Sequence, residues 1–428
     1  EMSASLVGSE MCIRDRLGEE NIQEMSFDLF AYRKLQDTAA DCEDRCDQIE
    51  QEMRDSKAAE RFALKQSQTF VDQMEGFALE LEDELMNFSD VSYKSFVKSE
   101  SEIITLFYDK FADIPLLSRM DAVAETFIDE IETLLNRDLP EEERIPLIEK
   151  FRKMYETMDF YVLYNRFLKK EGYQTLPRRP LEKRKLRYED VYPVLYLKYR
   201  LSRQAERSNI KHLVIDEMQD YSRLQYLIIR RMFSCKMTIL GDRAQTMADQ
   251  QQDVLQFLPG IFGKDLRRIE MRKSYRNTVE IASYAANLIG VTDLELFERH
   301  GMPVLERNVT DLEAALREAV DTLFPEEKTY ETAAVIVPDE KTAERAYLIL
   351  REILVEKDFD CEKRLSWLNR DSSSFKKGLT VTTFYLAKGL EFDQVFSIFP
   401  KDEKREMMMQ AQYIAATRAL HELRVYHI

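Results

Sequence analysis

Residues Val214-Ile215-Asp216-Glu217-Met218-Gln219-Asp220 place three carboxylates just beyond a short apolar run. If that run is a strand, the acids stand at its carboxyl end, where open α/β sheets bind ligands. One carboxylate there can hold Mg²⁺ through water while its neighbour orients or deprotonates an attacking water. A polar strand end without a ligand has the same composition, so the company it keeps decides the reading. Thr238-Ile239-Leu240-Gly241-Asp242-Arg243-Ala244-Gln245 ends a second apolar run in the same way, and the Gln245 amide could sense a terminal phosphate. Downstream come Lys273-Ser274-Tyr275-Arg276, then the stretch 383–393 with Lys388, Gly389 and Glu391, then Tyr413-Ile414-Ala415-Ala416-Thr417-Arg418. A guanidinium is planar, always charged and bidentate, so it suits a phosphoryl transition state. Two such groups at separated sites, Arg276 and Arg418, imply a nucleotide held between two domains.

The elements that must position these residues follow from periodicity. Apolar runs at 212–216 and 237–240 flank a helical pattern at 225–233, which is strand, helix, strand with short turns, as in a parallel sheet. The same grammar predicts strands near 268–271, 333–337, 379–383, 395–399 and 423–426, separated by helices over 279–289, 341–356 and 407–420. A second α/β domain follows. Upstream, from about 30 to 86, apolar positions recur every three or four residues without one proline, which predicts a long helix or helical hairpin. Further helices should cover 96–170, with breaks at Pro115 and Pro140, and another should span 189–200. Segment 177–187 packs six Lys and Arg between prolines and that last helix. It is either a solvated linker or a phosphate-contacting patch.

The chain has 428 residues, enough for two or three domains with real cores. With 44% hydrophobic and 33% charged residues it is globular, and 11 Gly plus 11 Pro leave few turns and much helix. Acids outnumber bases by 79 to 62, a net of −17, which excludes a function resting on a generally basic surface and leaves only local grips on nucleic acid. Residues 17–100 carry 21 acids against 9 bases, a net of −12. Five cysteines without framework spacing, and no secretory signal, fit a reducing cytoplasm. Cys42 and Cys46 read as helix residues rather than zinc ligands. No apolar run reaches the length of a membrane span, so no membrane association is expected. Residues 1–16 show no periodicity and resemble translated adapter sequence, with a frayed natural terminus as the alternative.

The order and spacing of the five chemical segments, within 209–428, closely resemble motifs II to VI of superfamily 1 helicases of the UvrD and Rep class. That resemblance implies an α/β fold of RecA-like P-loop NTPase motor domains, the first truncated, with a long helical insertion. It implies ATP and Mg²⁺ as cofactors. Asp216 would bind the metal, Glu217 would be the general base, and Gln245 would couple the γ-phosphate to movement. Tyr275 would stack on adenine, Glu391 would contact the ribose, and Gly389 would belong to the same nucleotide-binding set. Arg276 and Arg418 would be the arginine fingers.

Three departures narrow the branch. No G-x-x-x-x-G-K-[ST] loop exists, since Gly260-Ile261-Phe262-Gly263-Lys264-Asp265 has the wrong spacing and lacks the hydroxyl. The aromatic and Trp expected after Gln245 are absent, which puts base stacking there in doubt. Too few residues separate the helix ending near 356 from Leu379 to hold the large insertion of UvrD and Rep. The segments 216–222, 385–393 and 417–423 look like the HelD branch, or helicase IV, whose Gram-positive members use helical arms to enter RNA polymerase and release it from stalled nucleic acid. Residues 17–23 also look like the stretch after motif Ia there.

The expected organisation is then 1–16 non-native, 17–36 a remnant of the first RecA-like domain, 37–185 a helical insertion or arm, 186–268 the remainder of the first domain, and 269–428 the second. The expected function is the C-terminal part of a HelD-like, ATP-dependent translocase that remodels nucleic-acid complexes and recycles RNA polymerase. RNA polymerase and single- or double-stranded DNA are the expected partners. Without a P-loop this chain should not hydrolyse ATP alone. Two rivals stand beside it. A DNA-unwinding repair helicase would show a basic groove across both motor domains. A non-catalytic scaffold would have no need of Glu217, Gln245, Arg276 and Arg418 together.

Overall fold

The computed structural model describes residues 25–203, 210–242, 254–271, 273–291, 295–324, 329–357, 360–370, 372, 377–401 and 406–428. The first part comprises α1 (Phe27–Lys34), β1 (Asp41–Cys42), α2 (Arg45–Arg54), α3 (Ser56–Gln66), α4 (Gln68–Glu84), β2 (Val91–Tyr93), β3 (Phe96–Lys98), α5 (Glu100–Thr105), α6 (Leu116–Leu135), α7 (Glu141–Arg152), α8 (Phe160–Lys170), β4 (Lys185–Leu186), α9 (Tyr188–Leu201), β5 (His212–Ile215), α10 (Arg223–Met232), β6 (Lys236–Ile239) and α11 (Val254–Phe262). The second comprises β7 (Lys273–Ser274), α12 (Val279–Ile289), β8 (Glu295–Leu296), β9 (Leu305–Asn308), α13 (Leu312–Asp321), β10 (Thr332–Val337), α14 (Glu340–Glu356), α15 (Cys361–Arg364), β11 (Leu365–Trp367), β12 (Gly378–Thr383), β13 (Phe392–Phe399), α16 (Glu406–Thr417) and β14 (Ala419–His427).

The proline-free stretch expected as one long helix or hairpin holds most of α1, the short strand β1 and then three consecutive helices, α2, α3 and α4. Asp55 and Ser67 break it. Each leaves helical geometry and caps the next helix, Asp55 Oδ1 accepting from Lys57 N at 3.0 Å and Ser67 Oγ from Phe70 N at 3.2 Å. Short polar side chains offer the backbone an alternative partner, so no proline is needed. Pro115 and Pro140 stand directly before α6 and α7, where a missing N–H is harmless. Apolar faces of α4, α6, α8 and α9 form one core that continues into β5, α10 and α11, from Phe30 to Leu258. Segment 37–185 therefore shares its core with the β5–β6 pair, which is parallel in the register His212↔Lys236 to Ile215↔Ile239.

The second part is built on a six-stranded, all-parallel sheet in the order β11-β12-β10-β13-β14-β9. Strand β10 is apolar from Ala333 to Val337 because helices cover both faces. Ala334 and Ile336 face α12 and α16, while Ala333, Val335 and Val337 face α13 and α14. The strand expected near 268–271 does not form. Ile269 and Met271 are 74% and 90% exposed among charged neighbours, so nothing buries the run, and β7 lies further on at Lys273–Ser274, paired with β8. The helix expected to reach residue 420 ends at Thr417, because β14 begins at Ala419. Among the described residues no helix is long and apolar enough to cross a membrane.

Helix α2 joins the two parts. Cys46, Ile49 and Met53 pack into the second core. Glu50, which is buried, accepts from the Tyr385 hydroxyl at 2.7 Å and from the Glu340 amide at 3.1 Å, and Arg370 holds Asp47 at 2.6 Å and Glu340 at 2.9 Å. Substituting Glu50→Ala should strand the Tyr385 hydroxyl and the first amide of α14, costing about 1–3 kcal/mol. Denaturant unfolding should show the loss, and unchanged stability would show that α2 is not a structural link.

Candidate functional site

The two strand ends of the first part are laced together. Leu240 N donates to Ile215 O and Met218 N to Leu240 O, both at 2.8 Å. Glu217 takes the left-handed conformation, φ 52° and ψ 48°, and opens a single 3-10 turn over Met218–Asp220. That turn drives Gln219 inward, where its Nε2 donates to Glu217 Oε2 at 2.5 Å and its Oε1 accepts from Asp242 N at 3.0 Å. Gln219 is thus a strut between the two acidic ends. It leaves no space for a side chain at Gly241, where a Cβ would lie 2.4 Å from Gln219 Oε1 and 2.7 Å from Met218 N. Asp216 is exposed, and its Oδ1 accepts the Glu217 amide at 2.8 Å.

Open α/β sheets present ligand groups from residues that follow strands or open helices, and the site residues of the second part can be placed against that rule. Two of them do not follow it. Glu391 directly precedes β13 and Arg418 directly precedes β14, with Phe392 N donating to Arg418 O at 2.9 Å. Both therefore sit at the amino edge of the second sheet, where the chain re-enters it. Arg276 lies between β7 and α12 and pairs with Glu391, Nε to Oε1 at 2.5 Å. Asn277 pins this loop to the same edge, its Nδ2 donating to Thr417 O at 3.1 Å and Ala419 O at 2.7 Å. Arg299 adds a second clamp, donating to Arg276 O and Leu420 O. Arg418 is buried, with its guanidinium on Ile414 O at 3.2 Å, Leu390 O at 3.4 Å and Thr417 Oγ1 at 3.1 Å. Burial, and then the charge of Arg276, push its pKa down to about 10, with Glu217 and Glu391 opposing.

Glu217, Arg276, Glu391 and Arg418 thus share one electrostatic neighbourhood, and Asp242 acts on Tyr413 of α16 within it. Tyr275 is 60% exposed, its ring tilted 5.6 Å from Phe297. Gly389 has φ +81°, in the left-handed region, in the loop leading to Glu391. Gln245 lies outside the described residues. Reading the sequence gave no role to Gln219, Asp220, Asn277, Arg299 or Lys388. Lys388, nearly buried, reaches across to Asp220 at 2.5 and 2.7 Å and ties the loop before β13 to the acidic turn. Asp220 and Lys388 each lie within one of the five chemical segments, and that is the signal the sequence carries for the pair.

The donor set can be tested against the implied cofactors. Among the described residues no group of three or more His, Cys, Asp or Glu could hold a metal by itself. Mg²⁺ bound with nucleotide needs only one or two carboxylates plus phosphate oxygens, and Asp216 at a strand end fits that lesser demand. Arg276 repels the charge of Arg418, an arrangement that an anion between them would stabilise. Burial pushes the Cys42 thiol up to about 12 and the Cys46 thiol higher still, so neither is a ready thiolate ligand.

Fold and site define a mixed α/β protein with carboxylates ending one parallel strand pair and guanidinium groups at the edge of a second parallel sheet. The family described as UvrD/REP helicase N-terminal domain matches residues 9–247, more than half of the chain, and the chain belongs to that family. A search of curated proteins returned no match. Among solved structures, the C-terminal domain of a possible DNA helicase from Lactobacillus plantarum WCFS1 is 23% identical, covering 36% of this chain and 88% of its own, with a TM-score of 0.29. The PRRSV helicase is 14% identical over 62% of this chain and 45% of its own, TM-score 0.30. An Arterivirus nonstructural protein 10 (helicase) in complex with DNA is 15% identical over 63% and 51%, TM-score 0.28. The chain thus spans about half the length of these viral helicases.

Substitutions at Gly241 and Asp220 test the site's construction. Gly241→Ala should displace the Gln219 strut and lower stability by about 1–3 kcal/mol, whereas Gly76→Ala, at a helical position with open space around it, should leave stability equal or higher. Asp220→Asn should leave Lys388 without its carboxylate, and in a double-mutant cycle with Lys388→Met the coupling should reach about 1 kcal/mol or more. Additive losses would show that the pair does not join the two parts.

Proposed function

We propose that this chain is the greater part of an ATP-driven helicase or translocase motor of the HelD branch, acting on nucleic-acid complexes. The reading rests on one juxtaposition: Glu217, at the carboxyl edge of the first strand pair, shares a neighbourhood with Arg276, Glu391 and Arg418 at the amino edge of the second sheet. ATP with Mg²⁺ would supply a phosphoryl group for transfer to water. Asp216 would hold the metal and Glu217 would accept the proton of the attacking water. Arg276 would exchange its partner Glu391 for a phosphate oxygen, leaving Glu391 for the ribose, with Gly389 shaping that loop. Tyr275, exposed, would stack on adenine, and Gln245 would respond to the γ-phosphate. Arg418, held by carbonyls beside Arg276, would meet the γ-phosphate.

Positioning supplies most of the catalysis in phosphoryl transfer, and the 428 residues hold no G-x-x-x-x-G-K-[ST] loop to cradle phosphates. We therefore expect the chain to turn over ATP far more slowly than about 1 s⁻¹, the low end of ordinary enzymes. Joining it to a P-loop-bearing segment should restore hydrolysis, and Glu217→Gln in that restored protein should abolish it. Turnover by the 428-residue chain alone, or by the restored Glu217→Gln protein, would overturn the reading.

Release of RNA polymerase is the finer part of the proposal, and the acidic surface of α4 supports it. Glu50 and Glu52 are consumed by internal partners, Glu52 pairing with Arg45 at 3.0 Å, whereas Asp83 and Glu84 are exposed. Reversing Asp83 and Glu84 to Lys should weaken co-purification with polymerase and reduce its salt dependence. Co-purification unaffected by the reversal would favour the repair-helicase alternative.

A further inference from the structure

Helix α2 is held on its two sides by unlike means. Toward the second part it sets Cys46, Ile49 and Met53 into an apolar core, and there Glu50 and Asp47 are matched by the Tyr385 hydroxyl, the Glu340 amide and Arg370. Another face carries Arg45, Gln48 and Glu52, whose spacing of three and four residues lines them up along the helix. Arg45 lies over the rings of Phe62 in α3 and Tyr188 in α9, at 4.7 and 5.7 Å, so this face is turned to the first part.

The face toward the first part makes few demands on its neighbours. Arg45 and Glu52 pair with each other at 3.0 Å, both from α2, so separation from α3 and α9 would strand neither charge. Gln48 is 0% exposed, yet among the described residues neither its Oε1 nor its Nε2 has a hydrogen-bond partner. A buried amide left unmatched carries a cost that hydration would relieve, so this side gains from opening. The ring contacts of Arg45 oppose opening only modestly. Leaving the second part would instead expose Ile49, now buried, and break the bonds of Glu50 to Tyr385 and Glu340.

The chain on either side of α2 allows it to pivot. It is anchored to the first part as far as Glu43, whose N donates to Leu186 O at 2.8 Å, and again in α3, where Lys65 bonds Glu189 and Asp190 at 2.8 and 2.6 Å. Between these anchors Asp44 and Asp55, both with extended backbone, flank the ten residues of the helix. Gln51 holds Glu43 at 3.1 Å, beside the first pivot itself.

We infer that α2 is a strap that moves with the second part and opens as a unit against α3 and α9, with Asp44 and Asp55 as pivots and Gln48 lining the seam. Lys388, in the loop that follows Tyr385, leaves Asp220 in the same motion, and water takes up the exposed Asp220 carboxylate. The boundary between the two moving bodies then runs behind α2 rather than where the chain passes from α11 to β7.

Thiol labelling of the whole chain tests this. Gln48→Cys and Ile49→Cys are each combined with Cys46→Ala, and reaction with iodoacetamide is followed on the α2 peptide by mass spectrometry. Each rate, divided by that of an unfolded peptide of the same sequence, gives an opening constant, to be set against the global unfolding constant of the same variant from a denaturant titration. At position 48 the opening constant should exceed global unfolding by about tenfold or more, whereas at position 49 the two should agree within about twofold. Labelling at position 48 that proceeds only through global unfolding would overturn the inference. So would position 49 opening as readily as position 48, since α2 would then leave the second part as well. Gln48→Met, which keeps the length of the side chain and removes the amide, should raise the melting temperature, and no rise would show the amide to be matched in the closed seam and would also overturn it. None of these readouts involves nucleotide, so the motor proposal can fail without deciding this one.

Discussion

The carboxylate of Glu50 is the constraint on which the relation between the two halves depends. Its charge comes from a segment whose sequence reads as a solvated acidic arm, yet it is spent inside the molecule. Oε1 accepts from the Tyr385 hydroxyl and the Glu340 amide, and Oε2 takes the Arg54 guanidinium at 2.7 Å. Taking a carboxylate out of water costs several kcal/mol unless its lone pairs are matched. Here a phenol, a helix amino terminus and an arginine match them, and the helix end adds the favourable sign of its dipole. Because Tyr385 follows β12 and Glu340 opens α14 after β10, the same oxygen fixes α2 to two neighbouring strands of the second sheet. Ile49 beside it adds apolar burial that has no directional demand of its own.

Once α2 is fixed there, the edges of the two sheets have little freedom. The acidic turn after β5 meets the loop before β13 through Asp220 and Lys388, a bridge whose lysine end is nearly buried and less screened than a surface pair. Across that contact the first sheet presents its carboxyl edge and the second its amino edge. This accounts for the segregation of charge. Strand ends with Asp216, Glu217 and Asp242 bring acids, while the re-entry points of β13 and β14 bring Arg418 and the Arg276–Glu391 pair. Asn277 and Arg299 contribute no charge to a ligand directly; they bond backbone carbonyls on both sides of Arg418 and set where the loop bearing Arg276 can lie.

Much of the parallel sheet was legible because its strands are buried on both faces and therefore read as continuous apolar runs. The strand at 333–337 and the helix at 279–289 lie where periodicity puts them. Strand β9 was not legible: its residues Leu305, Glu306, Arg307 and Asn308 are all exposed at the sheet edge, so no pattern marks them. The breaks at Asp55 and Ser67 were invisible for a different reason, since a cap is a local choice that leaves the three-to-four spacing intact. The site was legible as a set of residue types but not as an arrangement. Nothing in the order of the residues says that Glu391 and Arg418 precede their strands, or that Arg418 is held by carbonyls. The small interactions that build the site, Gln219 against Gly241 and Asn277 against two carbonyls, depend on contacts between segments far apart in the chain.

Charge illustrates the same limit from the other side. Counting residues gives 17–100 a net of −12, and taken as a field that number would repel every polyanion. In the fold, Asp37 pairs with Lys198, Glu75 with Arg200, Glu82 with Arg119 and Asp47 with Arg370, so four of these acids are matched by bases from elsewhere in the chain. The count therefore overstates the field that a partner meets. Conversely, the buried pair Glu189 and Asp190 concentrates cations within an acidic molecule, because carboxylates inside the protein attract more strongly than carboxylates in water. The surface charge of this chain is consequently decided by where its acids are buried rather than by how many it has. Two acids hidden at the start of α9 gather cations about them, whereas exposed acids on α4 present an anionic surface, and both arise from the same composition.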